Sequence, residues 1–331
     1  MEAAAPTLQD IRAARQRLGD RIAETPLWHW RGDAIEQAAG RTTQVLLKLE
    51  LFQHAGSFKP RGALCAMLAL SPEALRRGVT AVSAGNHAMA VGYAARSLGT
   101  TAKVVMPRNA NAARVQGCRE YGAEVELVAG VITDAGKRVA QYIADNGGFD
   151  LSTLKEPYRV EGKKIMGYEL LDDLGKLPDA ILYPTGGGTG LIGMWKAFDE
   201  MQQLGWIGSE RPRMFSVQSS GCAPIVRAFD QKLDRAPEWE SPHTGAWGLR
   251  VPRAIGDRLM LAALRDSDGG AIAVDEDAIE PAAAEMRKRE GIDAGPEGGA
   301  ALVALRELFD RNALSKDETI VVFNTGGNKY R

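Results

Sequence analysis

Short runs of β-branched and other apolar residues alternate with alanine-rich stretches whose apolar positions recur at helical spacing, and this rhythm persists over most of the chain. Such alternation predicts parallel strands joined by helical crossovers, an α/β fold. The candidate strands are Gln44–Leu51, Gly78–Val82, Ala102–Pro107, Glu124–Val128, Ala180–Pro184, Met214–Gln218, Ala271–Val274 and Thr319–Asn324, each followed by glycine, proline or a polar cap. Helical periodicity marks Asn86–Leu98, Ala112–Tyr121, Asp134–Asp145, Leu191–Leu204, Glu276–Glu290 and Glu297–Phe309. Between Gln231 and Gly256 the periodicity lapses. Pro237, Pro242 and Pro252 there predict a long surface loop, of the kind that often serves as a lid or binding element.

Composition then narrows the class. A chain of 331 residues, 45% of them hydrophobic, can bury a full-sized core, and its length favours two domains. The 41 basic and 42 acidic residues are dispersed, so neither a nucleic acid nor a membrane surface is expected as a partner. The opening MEAAAPTLQDIRAARQRL mixes charges through an amphipathic pattern, unlike a signal peptide, and no run reaches membrane-spanning length. A soluble, cytoplasmic protein is the expectation. Cys65, Cys118 and Cys222 form no CxxC pair and read as reduced, part-buried fillers. His29, His54, His87 and His243 show no HxxxH or HExxH spacing, so no metal site is expected.

Three glycine-bearing turns follow predicted strands. Ser83-Ala84-Gly85-Asn86-His87 lies between VTAV and a helical stretch, where backbone N–H groups suit an anion; a plain helix cap using Ser83 or Asn86 is the alternative. Thr185-Gly186-Gly187-Gly188-Thr189-Gly190 opens another helix, and so many glycines let the backbone wrap closely around a phosphate. The absence of a following Lys-Ser or Lys-Thr pair separates it from the nucleotide-triphosphate loop. Asn324-Thr325-Gly326-Gly327-Asn328 ends the last strand and offers a hydroxyl at a sheet edge, or is simply a terminal turn.

Lys59, within HAGSFKPRGA, is the remaining piece. Pro60 suits the first helical position and pushes Lys59 toward an extended backbone just outside the helix. Facing the positive end of a helix and partly buried beside Phe58, the ammonium form is disfavoured, as a nucleophilic amine requires. A surface lysine at a helix start is the alternative. A lysine amine plus a phosphate cradle, with no metal motif, points to pyridoxal phosphate, which carries both an aldehyde and a phosphate.

GSFKPRGA, SAGNHA, PTGGGTG and the closing NTGG together resemble the second fold type of pyridoxal-phosphate enzymes, which includes threonine synthases, serine and threonine dehydratases and cysteine synthases. From about Val128 onward, FDLSTLKEPYRVEGKKIMGYEL, GCAPIVRAF and GLRVPRAIGD look like threonine synthase, whereas HAGSFKPRGA and SAGNHA are closer to the dehydratases. The resemblance implies two α/β domains of the tryptophan-synthase-β-like fold, with parallel-rich sheets flanked by helices and the cofactor between the domains. Residues 52–150 would form the small inserted domain, and 1–51 with 151–331 the large one. A homodimer acting on a small amino acid is expected from the same resemblance.

By motif, Lys59 becomes the Schiff-base lysine and the base for the α-proton, with Phe58 beside the cofactor. Asn86 would bond the ring's phenolic oxygen, and Ser83, Ala84 and Gly85 would hold the substrate carboxylate. Gly186, Gly187, Gly188, Thr189 and Gly190 would hold the phosphate. Thr325 would face the pyridine nitrogen, and a neutral hydroxyl there favours elimination over transamination, hence lyase chemistry. A threonine synthase acting on O-phosphohomoserine needs a second anion site, for which Arg159, Lys163 and Lys164, read as a loop cluster, are the candidates. Trp247, in AWGLRVP, stands where synthases carry a small residue and would reshape the pocket. A dehydratase or ammonia-lyase acting on threonine or serine is the runner-up, and a non-catalytic relative a third reading.

Overall fold

A computed structural model describes residues 18–40, 42–152 and 158–329, and the statements below concern those residues. The opening segment weighed as a signal peptide therefore lies outside them, save Leu18. Along the chain come β1 (Leu27–His29), α1 (Asp33–Ala39), β2 (Gln44–Leu49), α2 (Lys59–Leu68), α3 (Pro72–Arg76), β3 (Val79–Val82), α4 (Asn86–Ser97) and β4 (Ala102–Pro107). Then follow α5 (Ala112–Glu120), β5 (Glu124–Val128), α6 (Ile132–Asn146), β6 (Phe149–Asp150), α7 (Tyr158–Leu174), β7 (Ala180–Pro184), α8 (Thr189–Gln203) and β8 (Arg213–Ser219). The chain closes with α9 (Pro224–Asp230), α10 (Asp257–Asp266), β9 (Gly270–Val274), α11 (Glu276–Glu290), α12 (Pro296–Asp310) and β10 (Thr319–Asn324).

Contacts divide these elements into two compact units. One comprises Gln53–Ile165 with residues 18–23 and Lys329; the other comprises Glu24–Phe52 and Met166–Asn328. The division between Ile165 and Met166 falls within α7, which runs unbroken through it.

In the first unit β5, β4, β3 and β6 form a four-stranded sheet, every pair parallel. Its core gathers Leu64 and Met67 of α2, Met89 and Val91 of α4, and Val104 and Met106 of β4. Two glycines let α2 and the start of α7 cross closely. A Cβ on Gly162 would collide with the Arg61 carbonyl, and one on Gly62 would stand 2.6 Å from the Arg159 carbonyl oxygen. That crossing sets the first turns of α7 against the start of α2.

In the second unit six strands run in the order β1-β2-β10-β7-β8-β9, with β1 antiparallel to β2 and the rest parallel. Strands β7 and β10 are buried along their whole length, which is why AILYP and TIVVF read as continuous apolar runs rather than alternating ones. Their core packs Leu182, Val217, Ile320 and Val322 against α12 residues such as Leu302 and Leu305. Lys48 of β2 is an exception to the apolar pattern. It is buried, donates to the Thr25 carbonyl at 2.8 Å and pairs with Glu169 at 2.9 Å, so its charge is compensated.

The predicted strand Gln44–Leu51 stops at Leu49, because Glu50–Phe52 turn into a 3-10 helix. Residues 231–256 hold no helix or strand, as the lost periodicity indicates. The cysteines are free, and all three are buried rather than part-buried. Among the described residues no helix is long and apolar enough to cross a membrane, and no cluster of His, Cys, Asp or Glu could hold a metal ion.

Candidate active site

The sequence-predicted residues fall into two sets, one on each unit. The first unit carries Phe58, Lys59, Ser83, Ala84, Gly85, Asn86 and Arg159. The second carries Gly186 to Gly190, Trp247 and Thr325.

On the first unit, Lys59 is itself the first residue of α2. The expected extended backbone outside the helix is not found: Phe58, the N-cap, has helical φ and ψ of −61° and −10°, and the Arg61 N–H closes a turn onto the Phe58 carbonyl at 3.3 Å. Lys59 is half-buried, and its Nζ lies 4.3 Å from the centroid of the buried Phe58 ring. A second ammonium, Lys163 Nζ, approaches the same ring at 5.8 Å. The π face thus attracts two cations at once.

Ser83, Ala84 and Gly85 form the turn from β3 into α4, with Asn86 the first helical residue and half-buried. The Gly85 N–H donates to Ser83 Oγ at 3.2 Å, which shapes the turn locally. Behind it lies Arg114 of α5, buried, whose Nη1 donates to the Ala84 carbonyl at 3.4 Å. Little in the residue pattern marks that arginine, since it sits among apolar and small residues of a helix with no turn motif of its own.

Arg159, Lys163 and Lys164 are helical residues of α7, not members of a loop; Glu156 and Pro157 of the same motif lie outside the described residues. All three cations are buried. Lys164 pairs with Glu161 one turn earlier, and Lys163 donates to the Arg159 carbonyl. Arg159 Nη1 donates to the Leu151 carbonyl at 3.3 Å, and His87 Nε2 contacts the same oxygen at 2.8 Å. Burial first, then the charge of Arg159, with smaller contributions from Lys59 and Lys163, push the His87 pKa well below 6.5, against the opposing pull of the Leu151 bond. The imidazole is therefore neutral, and Lys59, Arg159 and Lys163 make a strongly positive neighbourhood around it. His87 is visible in SAGNHA, but its role is carried by a carbonyl distant in sequence, which no local pattern reveals.

On the second unit, the turn from β7 into α8 is built for close approach. Gly188, the N-cap of α8, has φ of 76°, and a Cβ on it would collide with the Met260 side chain. A Cβ on Gly186 would collide with the Gly248 carbonyl, whereas one on Gly187 would meet nothing within 4 Å. Among the described residues no side chain caps α8, and its first intrahelical bond runs from the Ile192 N–H to the Gly188 carbonyl, so the N–H groups ahead of it face the turn. This cradle fits a phosphate group. Thr325 shares its sheet edge: β10 and β7 are parallel with Ile320 opposite Ala180, and the same offset carried along the strands sets the buried Thr325 level with the buried Thr185. Its neighbour Asn324 is also buried, and neither of its side-chain polar atoms has a hydrogen-bond partner among the described residues.

Trp247 is 54% exposed, and Arg250 stacks on its ring at 5.1 Å. Two carboxylates clamp the backbone on either side. The Gly245 N–H donates to Glu276 at 2.6 Å and the Gly248 N–H to Glu297 at 2.7 Å. Burial raises the Glu276 pKa, but bonds from Ser219, Thr244 and Gly245 outweigh it and hold the carboxyl below its ordinary value. Because the Gly248 carbonyl abuts Gly186, the clamp fixes Trp247 one residue from the cradle wall.

The lysines at a helix start on the first unit, and on the second a glycine cradle with a threonine at the same sheet edge, have the chemistry of a pyridoxal-phosphate enzyme. The chain belongs to the family of pyridoxal-phosphate dependent enzymes, whose pattern matches residues 18–326. It is 30% identical over 307 residues to the threonine synthase of Methanosarcina acetivorans, covering 91% of this chain and 74% of that protein. It is 34% identical over 263 residues to the phenylserine dehydratase of Ralstonia pickettii, covering 77% of this chain and 77% of that protein. The solved structure of maize serine racemase superposes with a TM-score of 0.85 at 26% identity, covering 98% of this chain and 94% of that one. The cofactor and the fold expected from the motifs are those of this family.

Proposed function

We propose that the chain is a lyase that releases phosphate from O-phosphohomoserine and adds water to give L-threonine. The buried Arg159 carries this reading: its guanidinium donates to the Leu151 carbonyl, the buried Lys163 donates to the Arg159 main-chain carbonyl one turn along, and a guanidinium so held suits a departing dianion. Bound pyridoxal phosphate supplies an electron sink next to the carbon that loses its proton. Lys59 would attach the cofactor through Nζ and take that proton on the same atom. Phe58 would lie beside the cofactor, while Asn86 would bond its phenolic oxygen. Ser83, Ala84 and Gly85 would supply the turn that holds the substrate carboxylate, with Arg114 adding positive potential from behind. Gly186, Gly187, Gly188, Thr189 and Gly190 would hold the cofactor phosphate, and the Thr325 hydroxyl would meet the ring nitrogen. Trp247 would border the substrate's side chain. The enzyme would work in the cytoplasm as a homodimer.

A second reading is a dehydratase acting on threonine, serine or a bulkier β-hydroxy amino acid. Two observations favour it. Glu161 neutralises Lys164, which leaves fewer cations for a phosphate, and the relative from Ralstonia pickettii is a phenylserine dehydratase. Incubating the protein with O-phosphohomoserine, L-threonine, L-serine and phenylserine, while following phosphate and 2-oxo-acid release, separates the readings. Arg159→Ala should lower turnover of the phosphorylated substrate by roughly ten- to a hundredfold, the worth of a charge-assisted hydrogen bond, and largely spare threonine. Equal losses on both substrates would remove the phosphate-release reading.

A further inference from the structure

Leu151 links two side chains that no sequence motif connects. Its N–H donates to the Thr80 carbonyl at 2.8 Å, so its backbone is tied to the sheet. Its carbonyl oxygen has two lone pairs and receives both Arg159 Nη1, at 3.3 Å, and His87 Nε2, at 2.8 Å. A carbonyl only accepts, so Nε2 carries the proton of the neutral imidazole. We propose that His87 is a positioning residue: through the Leu151 carbonyl it sets the direction in which the Arg159 guanidinium points. The proposal rests on the reading of Arg159 as an anion-binding residue.

The alternative is that His87 merely satisfies a buried acceptor. Three features favour positioning. His87 is the second residue of α4, directly after Asn86, so its ring is placed by the same turn that carries the candidate site. The carbonyl it occupies also accepts from Arg159 Nη1, and occupying one lone pair leaves the other for the guanidinium. Crowding by Arg159, Lys59 and Lys163 together with burial keeps the ring uncharged, so it supplies direction without adding to the repulsion among the cations.

Inorganic phosphate is the probe, titrated calorimetrically into the holoenzyme so that the cofactor's own phosphate already fills the glycine cradle. The cofactor's visible absorption reports loading in every variant. Arg159→Ala should weaken phosphate binding by about tenfold or more, and His87→Ala by about tenfold. His87→Gln, which keeps a donor at nearly the same reach, should return affinity to within about twofold of the native protein. The double variant should bind no more weakly than Arg159→Ala alone, because His87 acts only through the guanidinium. If Arg159→Ala leaves phosphate affinity unchanged, the anion-site reading itself fails. If Arg159→Ala weakens binding but His87→Ala does not, or glutamine fails to rescue, or the two losses add, only the positioning role is overturned. Should His87→Ala not fold, His87→Leu, which fills the space without a donor, takes its place under the same outcomes.

Discussion

At the scale of single residues, His87 makes the folded state sensitive to acid. Its folded pKa lies well below 6.5, so below that pH the unfolded chain binds a proton that the native protein refuses. The imidazole costs nothing above pH 6.5, and stability drains away as pH falls from 6.5 toward the folded value, by at most about 1.4 kcal/mol per pH unit. Urea midpoints measured at pH 7.5 and 5.5 should show that loss, and His87→Gln should lose less. An identical pH response in the variant would show that other groups dominate. Individual roles are unevenly legible in the sequence. Lys59, Asn86 and the glycines stand in compact motifs whose residue types are themselves the chemistry. Arg114 and the Leu151 carbonyl have no such marking, because one is an ordinary helical arginine and the other a backbone atom placed by tertiary folding.

Among the elements, α7 shows why the pattern of apolar positions is insufficient. YRVEGKKIMGYELLDDL buries Arg159, Glu161, Lys163, Lys164 and Glu169 as well as Ile165, Met166 and Leu170, so polarity no longer reports which face is inside. Its basic start reads as a loop until the ion pair with Glu161 and the bond to the Arg159 carbonyl are seen. The strands β4, β7 and β10, by contrast, match their predicted bounds, since parallel strands in a covered sheet are dense in apolar residues and end at turn residues; the more exposed edge strand β5 matches its bounds too, through its alternation of Glu with apolar residues. The glycines at the α2–α7 crossing give this scale its test. Gly162→Ala places a methyl group against the Arg61 backbone, which cannot swing aside as a side chain would. We expect a loss of about 1–3 kcal/mol in chemical denaturation, the usual penalty for overpacking. Gly136→Ala, on α6 where a Cβ would meet nothing within 4 Å, should leave stability unchanged or raised. Comparable behaviour of the two variants would mean that the crossing tolerates a wider spacing.

For the molecule as a whole, the class of fold and the cofactor are readable from the chain, because four motifs in fixed order each demand a particular backbone. Where the chain divides is less so. Nothing in the composition changes near Ile165, and the helix carries on through it, so the division appears only in the pattern of contacts. Cofactor removal tests the whole assembly. The second unit offers a preformed cradle, with Gly188 already left-handed and α8 uncapped by any described side chain, and an arriving phosphate would satisfy its polar groups. A ligand that binds the native state alone stabilises it by about 2.7 kcal/mol at a hundredfold excess over its Kd. Stripping pyridoxal phosphate with hydroxylamine should therefore lower Tm, and adding the cofactor back should restore it. Inorganic phosphate alone should recover part of the difference through the cradle. In Lys59→Ala, where attachment through Nζ is impossible, the gain from added pyridoxal phosphate should shrink toward that phosphate-only increment. A full gain in that variant would contradict Lys59 as the point of attachment, and no gain from phosphate in the native chain would contradict the cradle.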